Sequence, residues 1–484
     1  MSRRSLSAAR RTEAIRLHLM STSSAPVEEA PVLFKSDGAL RAYILNRPKK
    51  LNALDETMLS ILRPKIEEWA RSDLTGVVAG TAVGRAFCAG GDVARIVEYS
   101  KKVETLPKAV DFFHREFEMD YILAAMPKPY IAFMDGITMG GGVGLSVNAP
   151  FRIATENTVF AMPETKIGYC PDVGASYFLS RIDGEIGTYL SLTGETISGR
   201  AVFEHGFATH FIPSRRIPGL LERLAGFEDP TYAQIDILLE ECRSDQQPGQ
   251  LNSLLVGNTR IALDKAFRHN SVEEIVGDLR AFAEGSENEE VAEWAKHTLA
   301  ALDLRSPTSL KVALAAVRKG KTMSLLEALQ MEMNIASAFC HGVSPDFRTG
   351  VTAVLVEKLK GRPDWLPSKL EDVNDEFVEK EFFNAFTPED GTSPRITPPD
   401  YLVDHTRLMD PMRFALPTEE EIGQLVAGNH KTSGGFALDL EDLLEKFNDI
   451  KKGKAGVREK VLEVVDRRCT FEKDSDKQWL EWKH

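Results

Sequence analysis

Gly136, Gly140, Gly141, Gly142 and Gly144 fall within nine positions of the stretch MDGITMGGGVGLSVNAP, directly after the apolar run PYIAF. Glycine lets another group approach the main chain closely and reaches φ/ψ regions closed to other residues, at an entropic cost. Between a strand and a helix, such a cluster can present unpaired N–H groups to an anion, because the first N–H groups of a helix have no partner within it. A tight turn uses the same glycines, so the cluster alone leaves both readings open. A second cluster, FCAGGDVARIVEY, places Gly90 and Gly91 after another apolar run and just before Asp92, a natural N-cap for the helix that follows. Two converging N–H groups at such points form an oxyanion hole, which stabilises charge developing on a carbonyl oxygen, and the pair of clusters favours that reading over the turn.

Three known glycine motifs fail here. A phosphate-cradling P-loop needs Gly-Lys followed by Ser or Thr, and GGGVGLS has no lysine. The dinucleotide fingerprint counted from Gly140 and Gly142 meets Leu145 at its last glycine. A nucleophile elbow would read G-x-S-x-G, but Gly144, Leu145 and Ser146 run into Asn148.

The elements that must position these clusters alternate between strand and helix. ALRAYILNRP reads as a strand into a turn at Pro48, and DETMLSILRPKIEEWA as an amphipathic helix capped by Asp55. TGVVAGTA and PYIAFMDG are buried strands leading to the two clusters; FRIATENTVFAMPE supplies more strand and GASYFLSRIDG turns helical. Repeated β-then-α units predict an α/β core with a mainly parallel sheet. From Glu228 to Ser306 the chain reads as helical and highly charged, and from Ser306 to Gly342 as two packed helices. After Pro388 it becomes rich in Pro and Gly, with SPRITPPDYL and HKTSGGF before a last charged helix, which predicts a boundary near Phe386.

With 484 residues the chain can bury a large core, and its formal charge of −13 argues against a general affinity for nucleic acid. No apolar run is long enough to span a bilayer. The five cysteines are scattered, without metal-ligand or disulfide spacing, so they are expected to be reduced and no metal is expected. The first 26 residues carry Arg3, Arg4, Arg10, Arg11 and Arg16 among serines, with Glu13 as their only acid, the composition of an organellar transit peptide. A mitochondrial matrix protein, cleaved before Pro31, is the expectation.

LNRPKKLNAL, AFCAGGD, GITMGGGVGLS and FAMPETKIG, in this order, resemble the crotonase (enoyl-CoA hydratase/isomerase) superfamily. FAMPETKIGYCPDVGASYFLSR, SPTSLK and QMEMNIA are similar to its 3-hydroxyisobutyryl-CoA hydrolase branch, the likeness covering residues 31 to 380. The resemblance implies a crotonase spiral of ββα units over 31–226, completed by a helical region over 227–380, with 1–30 a transit peptide and 381–484 a C-terminal extension. It implies that the N–H groups of Gly91 and Gly141 bind the thioester oxygen and that CoA lies along NRPKKLNAL. Hydratases of the superfamily use two glutamates; at the first position this chain has Gly144, so the acid–base pair for hydration is incomplete.

Glu164 in MPET and Asp172 in CPDVG are then the catalytic carboxylates that the resemblance implies, and Glu116 in FHREF lines the substrate site. Each also has an ordinary structural use: Glu164 capping a turn after Pro163, Asp172 capping a helix beginning near Val173, Glu116 solvated on a helix face. His114 and His205 have no partner pattern and read as structural or surface residues. The expected reaction is hydrolysis of the 3-hydroxyisobutyryl-CoA thioester in valine breakdown, with CoA as part of the substrate and no separate cofactor. Two departures stand out: Thr349 in DFRTGVTAVLVEK, where the family carries an acid, and the long segment from Thr387, whose LMDPMRFALPTEEEIGQL reads as a docking element. Hydrolase-like members also serve in the mitochondrial ribosomal small subunit, so the resemblance implies a structural or dual role there as the alternative. It also implies a homo-oligomer, since members commonly form trimers or pairs of trimers.

Overall fold

In the computed structural model, residues 30–244, 253, 255–402, 408–433, 437–474 and 477–483 are described. The expected transit peptide lies outside these residues. The core is a spiral in which successive turns give one strand to each of two sheets. The first sheet has the order β1-β2-β3-β5-β7-β10, from Val32–Asp37, Leu40–Leu45, Val77–Ala82, Tyr130–Met134, Phe151–Ala154 and His210–Phe211. Its β1/β2 pair is antiparallel and the rest is parallel. The second, β4-β6-β8-β9, is built from Ala86–Cys88, Ile137–Met139, Val159–Ala161 and Ile197–Ser198, with β4, β6 and β8 parallel and β9 antiparallel. The mainly parallel sheet expected from the sequence is thus two sheets, because each apolar run divides at a glycine or turn and its second half joins the other sheet.

This topology brings the chemistry together. Strands β4, β6 and β8 lie side by side and point the same way, so the segments leaving their C-terminal ends emerge as neighbours. Those segments are Ala89–Gly91, Gly140–Gly144 and Met162–Ile167.

Local residues hold each segment. Asp55 caps the helix Glu56–Arg71 as expected, accepting from the Met58 N–H at 2.9 Å, worth about 1 kcal/mol. The turn before it is stitched to the first glycine cluster: Ala89 N–H donates to Leu51 O, Leu54 N–H to Gly90 O and Asp92 N–H to Leu54 O, at 2.8–3.0 Å. Asp92 precedes the helix Val93–Ser100, yet its side chain makes no cap; its carboxylate faces Arg47 at 3.5 Å instead. The second cluster is fixed from the first sheet, where the hydroxyls of Tyr43 and Tyr130 meet at 2.7 Å and Tyr130 donates to Leu145 O at 2.6 Å.

The charged region after Glu228 forms the helices Tyr232–Glu241, Gly257–Phe267, Val272–Gly285 and Glu289–Asp303, and the two packed helices are Pro307–Gly320 and Leu325–His341. The chain does not finish in a charged helix as expected. Helices Leu440–Ile450 and Val457–Arg468 are followed by a hairpin, β11 (Cys469–Asp474) with β12 (Lys477–Trp482). Residues from Val32 onward form one compact unit. The C-terminal segment is tied into it through charge. Glu419 meets Arg260 at 3.0 Å, Arg467 at 2.7 Å and also Arg468, which holds its carboxyl near 2, well below the usual range, against the opposing effect of burial. The fully buried Arg152 of β7 donates to Pro411 O at 2.7 Å as well as to Ala149 O and Phe207 O. Among the described residues, no helix is long and apolar enough to cross a membrane.

Candidate active site

Gly91, Gly141, Glu116, Glu164 and Asp172 all line one cavity of about 190 Å³. Gly90 (φ 102°) and Gly140 (φ 47°) both occupy backbone regions that favour glycine, and a Cβ on Gly140 would lie 3.2 Å from Gly90 Cα, so the two glycine turns are packed directly together. The parallel bridge between Leu54 and Gly91 uses Gly90 O and Asp92 N, which leaves the Gly91 N–H directed elsewhere. Gly141 is the first residue of the short helix Gly141–Gly144. Among the described residues, neither the Gly91 nor the Gly141 N–H donates a hydrogen bond within the chain.

The carboxylates press against the second cluster. A Cβ at Gly141 would fall 2.2 Å from Glu116 Oε1, and one at Gly140 would fall 3.1 Å from Glu164 Oε1. Glu116 projects from the helix Leu106–Ala124 and is 2 % exposed, not solvated on a helix face. Glu164 opens the 3-10 turn Glu164–Ile167, closed by Gly168 in the left-handed region (φ 72°), where a Cβ would strike Asp346 O. Among the described residues, Glu116 Oε1 and Glu164 Oε2 are both buried without a hydrogen-bond partner, which is unusual for polar atoms outside a functional site. Burial pushes the Glu164 carboxyl up to about 8, against the pull of its own N–H and of Lys166. Burial and the neighbouring Glu164 push Glu116 up to about 8 as well.

Asp172 does not cap a helix. The helix begins at Ala175 behind Gly174, and Asp172 contributes only its backbone carbonyl to the Ala175 N–H. Its side chain stays in the cavity, held well above the usual carboxylate range by burial first, then by the charges of Glu116, Glu164 and Glu332. The next residue, Val173, sits at φ 57°, a conformation that costs a β-branched residue on the order of 1–3 kcal/mol.

The missing hydratase acid also has a physical explanation. A Cβ at Gly144 would fall 2.6 Å from Asp120 Oδ2 and 2.6 Å from Val173 Cβ. The space a side chain at 144 would need is taken by Asp120 and by the turn that carries Asp172.

Sequence reasoning missed Asp120 and Glu332, both buried. Asp120 stands four residues after Glu116, one helical turn on, which was the available signal. Glu332 lies within QMEMNIA, where its neighbours read as core. The two histidines are structural: His114 Nε2 lies 3.0 Å from Arg395 O, and buried His205 contacts Ser253 Oγ at 2.6 Å. Thr349 is half-buried in the helix Asp346–Gly350, next to the segment whose Val354 and Leu355 wall the cavity.

Residues 40–383 match the family model described as enoyl-CoA hydratase/isomerase. The chain belongs to this family. Among solved structures, a carnitinyl-CoA dehydratase from Mycobacterium thermoresistibile superposes with a TM-score of 0.64 at 31% identity, covering 76% of this chain and 98% of its own. An enoyl-CoA hydratase from Rhodobacter sphaeroides does so with a TM-score of 0.63 at 30% identity, covering 73% and 97%. The mitochondrial 3-hydroxyisobutyryl-CoA hydrolase of Gallus gallus is 41% identical over 360 residues, 74% of this chain and 89% of the relative. The small ribosomal subunit protein mS47 of Neurospora crassa is 38% identical over 467 residues, 94% of this chain and 88% of the relative.

Proposed function

We propose that this chain hydrolyses the thioester of 3-hydroxyisobutyryl-CoA to 3-hydroxyisobutyrate and CoA in the mitochondrial matrix. The observation that carries this reading is the pairing of two free glycine N–H groups with Glu164 and Asp172, in a site whose hydratase position is filled by Asp120 and Val173. The N–H groups of Gly91 and Gly141 polarise the thioester carbonyl and take up the charge that develops on its oxygen. Glu164, in its ionised form, attacks the carbonyl carbon, the C–S bond breaks, the CoA thiolate takes a proton from Asp172, and water then cleaves the mixed anhydride and restores both carboxyl groups; or Glu164 draws a proton from an attacking water and passes it to the CoA thiolate as the C–S bond breaks. Asp172 orients the substrate hydroxyl or shares the proton transfers, and Glu116 binds the substrate beside Gly141. A cavity of about 190 Å³ walled by Phe112, Phe113, Tyr169, Val354 and Leu355 suits a short branched acyl group.

The test is thiol release from a series of acyl-CoA esters, with 3-hydroxyisobutyryl-CoA turned over most efficiently and crotonyl-CoA left unhydrated. A preference for long unbranched chains, or water addition to crotonyl-CoA, would overturn the reading. Single turnover in heavy-oxygen water tests the covalent route: label in the Glu164 carboxylate, left by water attack on its carbon of the anhydride, establishes direct attack, because general-base catalysis labels only the product.

A second reading rests on the extent of one likeness. The ribosomal relative aligns over 467 residues and the Gallus gallus hydrolase over 360, so the former likeness takes in chain that the latter leaves out. We propose, as the alternative or as an added role, attachment to the mitochondrial ribosomal small subunit through the C-terminal extension. Cosedimentation with mitochondrial ribosomes at moderate salt supports it; absence from those fractions counts against it.

A further inference from the structure

The turn that carries Asp172 has one backbone hydrogen bond of its own, from the Ala175 N–H to Asp172 O at 2.9 Å. Val173 and Gly174 stand in succession at φ 57° and 83°, and the helix that follows, Ala175–Leu179, is a single short turn. The turn is gripped from outside by one carboxylate. Glu332, on the long helix Leu325–His341, accepts the Gly174 N–H at 2.6 Å through one oxygen and both the Ser176 N–H at 2.9 Å and the Ser176 hydroxyl at 2.5 Å through the other. Its side chain is fully buried. Three donors converge on it, all from Gly174 and Ser176, and no lysine or arginine is hydrogen-bonded to it or paired with it among the described residues. A carboxylate buried without a counter-cation is costly to keep, and hydrogen bonds that favour the ionised form are what make it tolerable.

From this geometry we propose that Glu332 is a positioning residue for the hydrolysis: it fixes the left-handed turn at Val173–Gly174 and so holds the Asp172 carboxylate in the cavity. The inference rests on the hydrolase reading of Asp172 given above. Bare backbone on the other side of the turn completes the clamp. Gly144 lets Val173 approach, and a Cβ on Gly174 would come within 2.9 Å of Leu325 Cδ1 at the start of the same helix. Replacing Glu332 by glutamine keeps the volume but turns one acceptor into an NH₂ group, which meets at least one of the backbone N–H groups donor to donor. The turn then relaxes, and a misplacement of this kind at a reacting group costs up to about 100-fold in rate.

The test is a double-variant cycle on the full chain. Values of kcat and KM for 3-hydroxyisobutyryl-CoA are measured for wild type, Glu332→Gln, Asp172→Asn and the two combined, with Ser176→Ala alone and in the Asp172→Asn background. Near-UV circular dichroism checks folding. Glu332→Gln is expected to lower kcat by about 10- to 100-fold, with KM changed by less than about 3-fold. In the Asp172→Asn background it should cost almost nothing further, because residues acting as a unit are not additive. Ser176→Ala, which removes one of the three donors, should cost about 10-fold in the same non-additive manner. If Glu332→Gln does not fold, the Ser176→Ala cycle decides the matter. An unchanged kcat, or losses that multiply with that of Asp172→Asn, overturns the positioning role while wild-type turnover leaves the hydrolase reading in place. Absence of wild-type turnover overturns the hydrolase reading and this inference with it.

Discussion

Replacing Gly144 by alanine adds one methyl group where the site has none to spare. The new Cβ would lie 2.6 Å from Val173 Cβ and 2.6 Å from Asp120 Oδ2, each about 1 Å inside ordinary contact distance. Overpacking of this kind costs about 1–3 kcal/mol, and Gly144, being helical, returns about 0.5–1 kcal/mol when alanine replaces it. The balance is a loss of about 1 kcal/mol, which at about 2 cal/mol/K of unfolding entropy per residue is a fall in Tm of about 1 °C by differential scanning calorimetry. The kinetic effect is larger, because the displaced residue is joined to Asp172: kcat for thioester hydrolysis should fall about 10- to 100-fold. Gly144→Glu should be worse in both respects and should gain no hydration of crotonyl-CoA, since its carboxylate has no room beside Asp120. Gly144→Ala with unchanged kcat and Tm, or Gly144→Glu with measurable hydratase activity, would refute the reasoning that this space is occupied.

Glu164→Gln should lower kcat by about 10²- to 10⁴-fold with the fold intact, read by steady-state thiol release and circular dichroism. Because Glu164 works ionised and burial holds its carboxyl near 8, wild-type kcat/KM should rise with pH through 8 and then level; a profile flat from pH 6 to 9 contradicts this. The same shift sets stability. Glu116 and Glu164 bind protons more tightly folded than unfolded, so their favourable contribution is full below about pH 4 and is lost as pH rises through 8. Glu116→Gln should therefore be more stable than wild type at pH 9, by thermal melts across pH, while raising KM. Glu419 carries the opposite sign: held near 2 by three arginines, it stabilises the fold above the unfolded value near 4, and this is lost as pH falls through 2. Glu419→Gln should cost about 3–5 kcal/mol at neutral pH, seen as a lower urea midpoint, and chain ending before Pro411 should not fold stably, since Arg152 loses that carbonyl.

The site's principal groups were legible because they sit in short contiguous motifs. Gly91, Gly141 and Glu164 each follow one strand of the second sheet, so local pattern carried their placement, and Asp172 lay within the same run. What the motifs could not give was the role of a residue set by contacts far along the chain. Asp120 and Glu332 read as helical acids among apolar neighbours, and only contacts with Gly144 and Gly174, distant in sequence, place them behind the cavity against the turn that carries Asp172. Asp92 was read as a cap from its position before Val93, but Arg47 competes for its carboxylate. The C-terminal hairpin escaped notice because CTFEKDSDKQWLEW is charged and follows a helix without a break. The tail's docking depends on ion pairs far apart in sequence, Glu419 with Arg260 across 159 positions and Lys460 with Asp183 at 2.7 Å, and no local period records such pairs.

The central claim is that a glycine oxyanion site and Glu164 together cleave a thioester. The most direct measurement is a single-turnover experiment, following thiol released from 3-hydroxyisobutyryl-CoA by excess protein, with wild type and Glu164→Gln side by side. Wild type should release one equivalent of thiol rapidly, and a folded Glu164→Gln variant that still binds the ester almost none on the same timescale. Equal release by the two proteins, or none by folded wild type, would contradict it.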